Sequence, residues 1–527
     1  MEEIINNKVN VWDVIDTYFR DEHYYKSQHQ VDSFNEFIFS KENGIQNIIT
    51  RENPFTIHQG SKGGGTDMSF KYELQFYFGE TLDNNIESLN YGLPIKNIEN
   101  IFISTPTLYD TEENKSKYMY PNESRLNNYT YRSGIFCNIG IKYIFLDEEK
   151  QPLIINFNKI NIGFIPIMVH SKLCLLHKLD SVKLSELGEC PYDQGGYFIV
   201  KGKEKVVLSQ ENKINNILYV IKGNTNDKIL YQGYIKSVST KGFQSSRTNN
   251  IYYYRHTYKI NNNGEQLYKR DNIFTVRILG FVDVNSVNSN DSIPLFILFR
   301  ALGLTSDKDI LSYIIYESDD LVLKNKLYDL ILPSMKYSQP IYTQEAAIKF
   351  LTPLTKGKLT INVIDILNNN FLPNYENNLI QKAQFLGYSV RKILLSYLGL
   401  IDPTDRDSYS YKRVDLAGSL LLELFRELWG SFKKELSKKI DYEYKAKYSE
   451  IDKDSNKIIE LINENNRNNM FNTSMMEYLT KSFGARFGTN ISGRQGIVQD
   501  LNRISMLGTL SHIRRLSFPL PAGSKSL

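Results

Sequence analysis

The hydrophobic period of this chain changes along its length, and that change constrains the fold more than any single motif. From about residue 69 to 207, β-branched and aromatic residues alternate with polar ones, as in Tyr72-Glu73-Leu74-Gln75-Phe76-Tyr77 and Gly196-Tyr197-Phe198-Ile199-Val200. Successive strand side chains point to opposite faces, so this pattern predicts a sheet-rich first domain. A second strand-rich stretch, about 217 to 284, gives way to helical periodicity from 293 to 397, a separate α+β unit. Then Leu416, Leu420, Leu424, Leu428, Phe432, Leu436 and Ile440 recur every fourth residue, with Glu423, Arg426, Lys433 and Glu435 off that line. On a helix of about 3.6 residues per turn this stripe drifts slowly, which predicts one long helix laid against a sheet or another helix. Two shorter helices are expected near the start, around Val11 to Phe19 and around Val31 to Ile38. The fold class that follows is α+β and multidomain.

The length, 527 residues, fits about three folded units at roughly 150 residues each. The three cysteines, Cys137, Cys174 and Cys190, are far apart and lack C-x-x-C spacing, which fits a reducing compartment rather than a disulfide scaffold or a zinc site. The acidic first residues and the lack of an apolar run near the roughly 20 residues that span a bilayer give the expectation of an intracellular, non-membrane protein.

Charge is nearly balanced overall, with 63 Lys and Arg against 59 Asp and Glu and a net +4. It is not evenly spread. Between Lys481 and Leu527 the ionic residues are Lys481, Arg486, Arg494, Arg503, Arg514, Arg515 and Lys525, opposed by Asp500 alone, so this segment carries +6 and the remainder −2. Its arginines are interleaved with glycines, with Gln495, Gln499, Asn502 and Ser505, and with apolar Ile504, Met506, Leu507, Leu510 and Ile513. Guanidinium forks bind phosphate oxygens bidentately, and arginines set in an apolar pattern are held by a packed backbone rather than carried on a loose tail. The segment therefore has the composition of a phosphate-facing surface. The bland alternative is a solvated basic helix and loop.

Other chemistry finds little support. Gly60-Ser61-Lys62-Gly63-Gly64-Gly65-Thr66 lacks the G-K-[ST] ending of a phosphate loop, and Asp452, Asp454 and Asn456 lack the glycine and terminal glutamate of a calcium loop. No G-x-S-x-G elbow, H-E-x-x-H pair or Rossmann fingerprint occurs, and no closely spaced aspartates could hold two magnesium ions. The sequence shows no catalytic centre of its own.

A series of blocks remains: Val31-Asp32-Ser33-Phe34-Asn35-Glu36-Phe37-Ile38, Glu123-Ser124-Arg125-Leu126, Ile165-Pro166-Ile167-Met168, and Glu189-Cys190-Pro191-Tyr192-Asp193-Gln194-Gly195-Gly196-Tyr197. It continues with Phe299-Arg300-Ala301-Leu302-Gly303, Asp405-Arg406-Asp407, Lys412-Arg413-Val414-Asp415, Gln499-Asp500-Leu501-Asn502-Arg503 and Thr509-Leu510-Ser511-His512-Ile513-Arg514-Arg515. In this order the blocks resemble the N-terminal half of the second-largest subunit of multisubunit DNA-dependent RNA polymerases, the counterpart of the bacterial β subunit.

The resemblance implies a sheet-rich protrusion, residues 1–212 with a return segment at 403–473, interrupted by an inserted α+β lobe at 213–402 and followed by an incomplete, mostly helical fork at 474–527. In the family the fork lies beside the active centre, which makes Arg494, Gln499, Arg503, Arg514 and Arg515 the expected nucleic-acid-facing set, with Lys205 as a protrusion contact. Asp405, Arg406, Arg413 and Asp415 are expected to form structural ion pairs at the lobe return. No cofactor is expected on this portion. By the same resemblance, Mg2+ in the assembled enzyme is held mainly by the largest subunit, and the Zn2+ site lies in the C-terminal half that this chain lacks. The implied partners are the largest subunit, the remaining half of the second subunit, the smaller subunits, template DNA and the RNA–DNA hybrid. The Asn-, Lys- and Ile-rich composition fits an AT-rich genome, with the cytoplasm or virion as the setting for a viral enzyme and the nucleus for a cellular one. The competing reading is a truncated, non-catalytic paralogue that binds polymerase subunits or nucleic acid.

Overall fold

The computed structural model describes residues 11–21, 25–42, 44–62, 69–80, 82, 101–110, 115–145, 152–223, 228–239, 246–262, 265–281, 292–316, 320–355, 359–446 and 496–518. The chain forms two compact units, one from Met1–Asn212 with Val414–Leu527 and one from Lys213–Arg413. Helices and several open sheets make both, an α+β multidomain architecture as the alternating periods imply.

In the first unit the alternating run becomes an antiparallel sheet. Strand Phe55–Lys62 pairs with Ser69–Phe78, and that strand pairs with Arg132–Phe145. Arg132–Phe145 also pairs with Ile101–Ile103 and Leu153–Pro166. One face turns Leu74, Phe76, Phe78, Ile139 and Ile141 into the core. The leucine stripe forms helix Ala417–Ala446. Leu420, Leu424, Leu428, Phe432 and Leu436 are buried, joined by Leu421, Phe425 and Trp429 on the adjoining positions, so the apolar face is broader than the four-residue repeat alone. It packs on the sheet, where Phe78 meets the Trp429 ring edge-on at 5.0 Å, and on helix Gln28–Phe39, where Phe37 meets Phe425 at 6.4 Å.

The two helices approach closely at one point. The Gly418 N–H donates to Ser33 Oγ at 3.0 Å and the Ala417 N–H to Gln30 Oε1 at 3.1 Å, which satisfies two of the N–H groups that a helix start leaves without intrahelical partners. A Cβ on Gly418 would lie 1.9 Å from the Ser33 carbonyl oxygen, so only glycine fits there.

In the second unit an antiparallel sheet runs in chain order through Leu218–Lys222, Ile229–Ser237, Arg247–Asn262, Glu265–Arg277 and Ile293–Pro294. Helices Leu295–Ala301, Asp307–Ile315, Leu321–Tyr337, Gln344–Leu351, Thr360–Asn369 and Leu379–Tyr397 follow. The sheet residues Val220, Ile251, Phe274 and Val276 share one core with Phe296, Phe299, Ile331, Leu386, Val390 and Ile393 from the helices. Among the described residues of this unit two cations are fully buried. Arg300 pairs with Asp307 and donates to the Ile341 carbonyl. Lys382 donates to the Leu367 and Asn368 carbonyls at 2.8 and 2.7 Å, capping the last turn of helix Thr360–Asn369.

Burial pushes the Lys382 ammonium down to about 8. Its folded value lies below its unfolded one, so the unfolded chain holds the proton more tightly between about pH 8 and 10, and the fold gains stability as pH rises through that window. A neutral amine still has two hydrogens for the two carbonyls. Denaturant midpoints between pH 8 and 10 are expected to climb for the native protein, and Lys382→Met should flatten that climb. An unchanged pH dependence in the variant would refute this.

The charged return segment departs from the sequence expectation. Asp405, Arg406 and Arg413 are exposed and form no ion pair among the described residues. Asp405 Oδ1 accepts from the Asp407 N–H at 2.9 Å, and Arg413 donates to the Lys412 carbonyl at 2.7 Å. Asp415 accepts from the Asn212 side-chain amide. At Asp405 and Arg413 the charged groups bond the local backbone instead, because exposed charges gain little from pairing in water.

Candidate nucleic-acid interface

The basic segment is seated on an ionic and aromatic cluster in the first unit. Helix Pro121–Leu126 presents Arg125. A turn after helix Ser181–Glu186 presents Glu189 and Asp193, and strand Lys203–Val207 presents Glu204. Between them Gly195 and Gly196 take φ values of +67° and +81°, and a Cβ on Gly195 would lie 2.6 Å from the Val169 carbonyl oxygen. This glycine turn lets the chain enter the strand with Tyr197 fully buried.

Arg125 donates to Glu189 at 2.8 Å, to Glu204 at 2.9 Å and to the Tyr197 hydroxyl at 2.7 Å. The Tyr197 hydroxyl donates in turn to Asp193. Arg503 grips both Glu204 oxygens, at 2.6 and 3.0 Å, and reaches Asp193 at 3.3 Å. Its guanidinium carbon sits 4.9 Å from the centre of the Tyr197 ring. For Arg125, burial, which lowers the value, is outweighed by the Tyr197 and Glu189 oxygens, so it stays charged. For Arg503, burial is outweighed by its Glu204 hydrogen bonds and by Tyr197 and Asp193. Burial raises Asp193, but Arg503 and the Tyr197 hydroxyl bring it below the ordinary carboxylate range. The Tyr197 hydroxyl itself is pushed well up by burial and by Asp193, so it is a neutral donor. The cluster opens on a cavity of about 540 Å³ whose apolar wall is Met506, Leu510 and Ile513.

Beyond Arg503 the chain makes helix Met506–Ile513, capped by Ser505 Oγ accepting from the Gly508 N–H at 3.0 Å. Thr509 Oγ1 donates to the Asn502 carbonyl at 2.6 Å. His512 closes the same loop: Nδ1 accepts from the Asn502 N–H at 3.2 Å, so Nε2 carries the proton and donates to Gln499 Oε1 at 3.0 Å. Burial and the Arg515 charge lower His512, which keeps it in this neutral form.

The expected nucleic-acid set is thus divided. Arg503 is tied to internal carboxylates. Lys205 pairs across the strands with Asp500, and Gln499 bonds His512 and the Gly496 carbonyl. Arg494 lies outside the described residues. Arg514 and Arg515 are exposed and make no ion pair among the described residues. The sequence reading missed the cluster as a unit, although Arg125, Glu189, Asp193, Tyr197 and Arg503 all stand in the blocks quoted above. Among the described residues no group of three or more His, Cys, Asp or Glu could hold a metal ion, and no helix is long and apolar enough to cross a membrane.

The model of a family described as RNA polymerase beta subunit matches residues 25–459. The chain is 28% identical over 544 residues to DNA-directed RNA polymerase II subunit RPB2 of Encephalitozoon cuniculi, covering 98% of this chain and 40% of that protein. It is 30% identical over 538 residues to DNA-directed RNA polymerase II subunit 2 of Arabidopsis thaliana, covering 97% and 40%. Against DNA-directed RNA polymerase subunit Rpo2N of Methanothermobacter thermautotrophicus it is 25% identical over 532 residues, covering 97% of this chain and 87% of that one. The chain spans about 40% of the length of the first of these relatives, matching their N-terminal part. It belongs to the RNA polymerase beta-subunit family and corresponds to the N-terminal half of the second-largest subunit.

Proposed function

We propose that this chain serves in a DNA-directed RNA polymerase, assembling with a largest subunit, the remaining part of the second subunit and smaller subunits to extend RNA on a DNA template. The observation that carries the reading is the pair Arg514 and Arg515, exposed and free of ion pairs among the described residues, at the end of a helix whose base is hydrogen-bonded in place. Two neighbouring guanidiniums on a backbone held in place suit phosphate oxygens of a template or hybrid strand. This portion supplies no catalytic group in the reading. Phosphoryl transfer would draw on metal ions held mainly by the largest subunit, with zinc in the part beyond this half. The setting is intracellular: the nucleus for a cellular enzyme, the cytoplasm or virion for a viral one.

The test is reconstitution. Tagged chain is expected to bring down a largest subunit and template-dependent RNA extension, and persistent purification without either would favour the non-catalytic paralogue. Within the assembled enzyme, Arg514→Ala and Arg515→Ala are each expected to lower the slope of log affinity against log salt by roughly one, measured on a scaffold of template, RNA and non-template strand. Unchanged slopes would remove both residues from the interface.

A further inference from the structure

We infer that Arg503 is a positioning residue, which fastens the segment at 498–517 so that Arg514 and Arg515 stand where a strand can meet them. This rests on the nucleic-acid role proposed above for that pair. Arg503 is the one basic residue of the segment that reaches into the Arg125 cluster among the described residues, and its three hydrogen bonds go to Glu204 and Asp193. Without it, Arg125 would face Glu189, Glu204 and Asp193 alone, one cation against three carboxylates. The attachment is directional as well as electrostatic. The fork meets both oxygens of Glu204 while its face covers the Tyr197 ring.

The placement then passes along the chain by short steps. The Leu501 N–H donates to the Glu204 carbonyl at 2.9 Å, so the backbone two residues before Arg503 is tied to the same residue as its side chain. Asn502, next to Arg503, bonds His512 through its N–H and Thr509 through its carbonyl. His512 lies two residues before Arg514. Ile513 packs at Gly196, where an added Cβ would come within 3.6 Å of its side chain, so the helix end rests on the glycine turn that sets Tyr197. A change at Arg503 therefore reaches Arg514 through the Asn502–His512 hydrogen bond and not through a shared ligand. Lysine cannot replace it, because one ammonium cannot span both oxygens and lie over the ring.

A double-mutant cycle on the assembled polymerase tests this, with affinity for the template, RNA and non-template scaffold as the readout. Arg503→Ala is expected to weaken binding about tenfold in the native background and less than about twofold where Arg514→Ala and Arg515→Ala are already present. Arg503→Lys, which keeps the charge and loses the fork, is expected to be as weak as Arg503→Ala. Equal losses in both backgrounds, or rescue by lysine, would show that Arg503 meets phosphate itself and would overturn the inference, as would native affinity in Arg503→Ala. If Arg514→Ala with Arg515→Ala leaves binding intact, the nucleic-acid reading of that pair fails, whatever Arg503 does.

Discussion

Glu204→Ala is expected to destabilise the first unit by about 2–3 kcal/mol, the range for removing a charged hydrogen-bond partner from a half-buried cluster. The glutamate accepts from Arg125 through one oxygen and from Arg503 through both. Its side chain is 17% exposed and that of Arg125 21%, so water can take over its role at Arg125 only in part. Arg503, at 41%, would recover part of its hydration, which places most of the cost on Arg125. Denaturant unfolding followed by tryptophan fluorescence measures the loss, since Trp429 lies in the same unit. A change below about 1 kcal/mol would mean that the cluster is not held by Glu204.

Gly418→Ala is the second large effect, expected at about 3 kcal/mol, at the upper end for overpacking a close contact. Here the obstacle is the Ser33 carbonyl oxygen, 1.9 Å from the added carbon, and a backbone atom cannot rotate away as a side-chain tip can. The two helices must separate, which strains the Gly418-to-Ser33 and Ala417-to-Gln30 hydrogen bonds. Thermal unfolding should show a clear drop in midpoint. By contrast Gly430→Ala, on the same helix with no atom within 4 Å of the added carbon, should be neutral or mildly stabilising. Equal midpoints for Gly418→Ala and the native protein would show that the helices do not meet in this way.

The fold was legible wherever one physical period ran long enough. The leucine stripe from Leu420 to Leu436 became one helix because an apolar residue at every fourth position leaves no other regular element that buries these five together, and alternation around Tyr72 to Tyr77 gave a strand with Leu74 and Phe76 inward. What the sequence could not show was pairing at long range. Arg503 and Glu204 stand 299 residues apart, so nothing in local spacing distinguishes an arginine that will meet an internal carboxylate from one that will meet phosphate. Counting charges in the last segment gave an excess of cations, but the anions that engage Arg503 lie in the first unit's earlier strands and turns. At the return segment the error ran the other way: alternating signs at Asp405, Arg406 and Arg413 looked like partners, and exposure left them to turns and local backbone bonds. Arg514 and Arg515 differ from Arg503 in one respect the sequence does not encode, namely that no carboxylate of the described structure pairs with them.

The most direct measurement is photo-crosslinking from the solvent-facing side of helix Met506–Ile513 in the assembled polymerase. With Ser511, an exposed residue near both arginines in sequence, replaced by a photoreactive benzoyl-phenylalanine, irradiation on a labelled scaffold should attach the chain to template or RNA. Crosslinks to protein alone, with the scaffold fully engaged, would contradict the account.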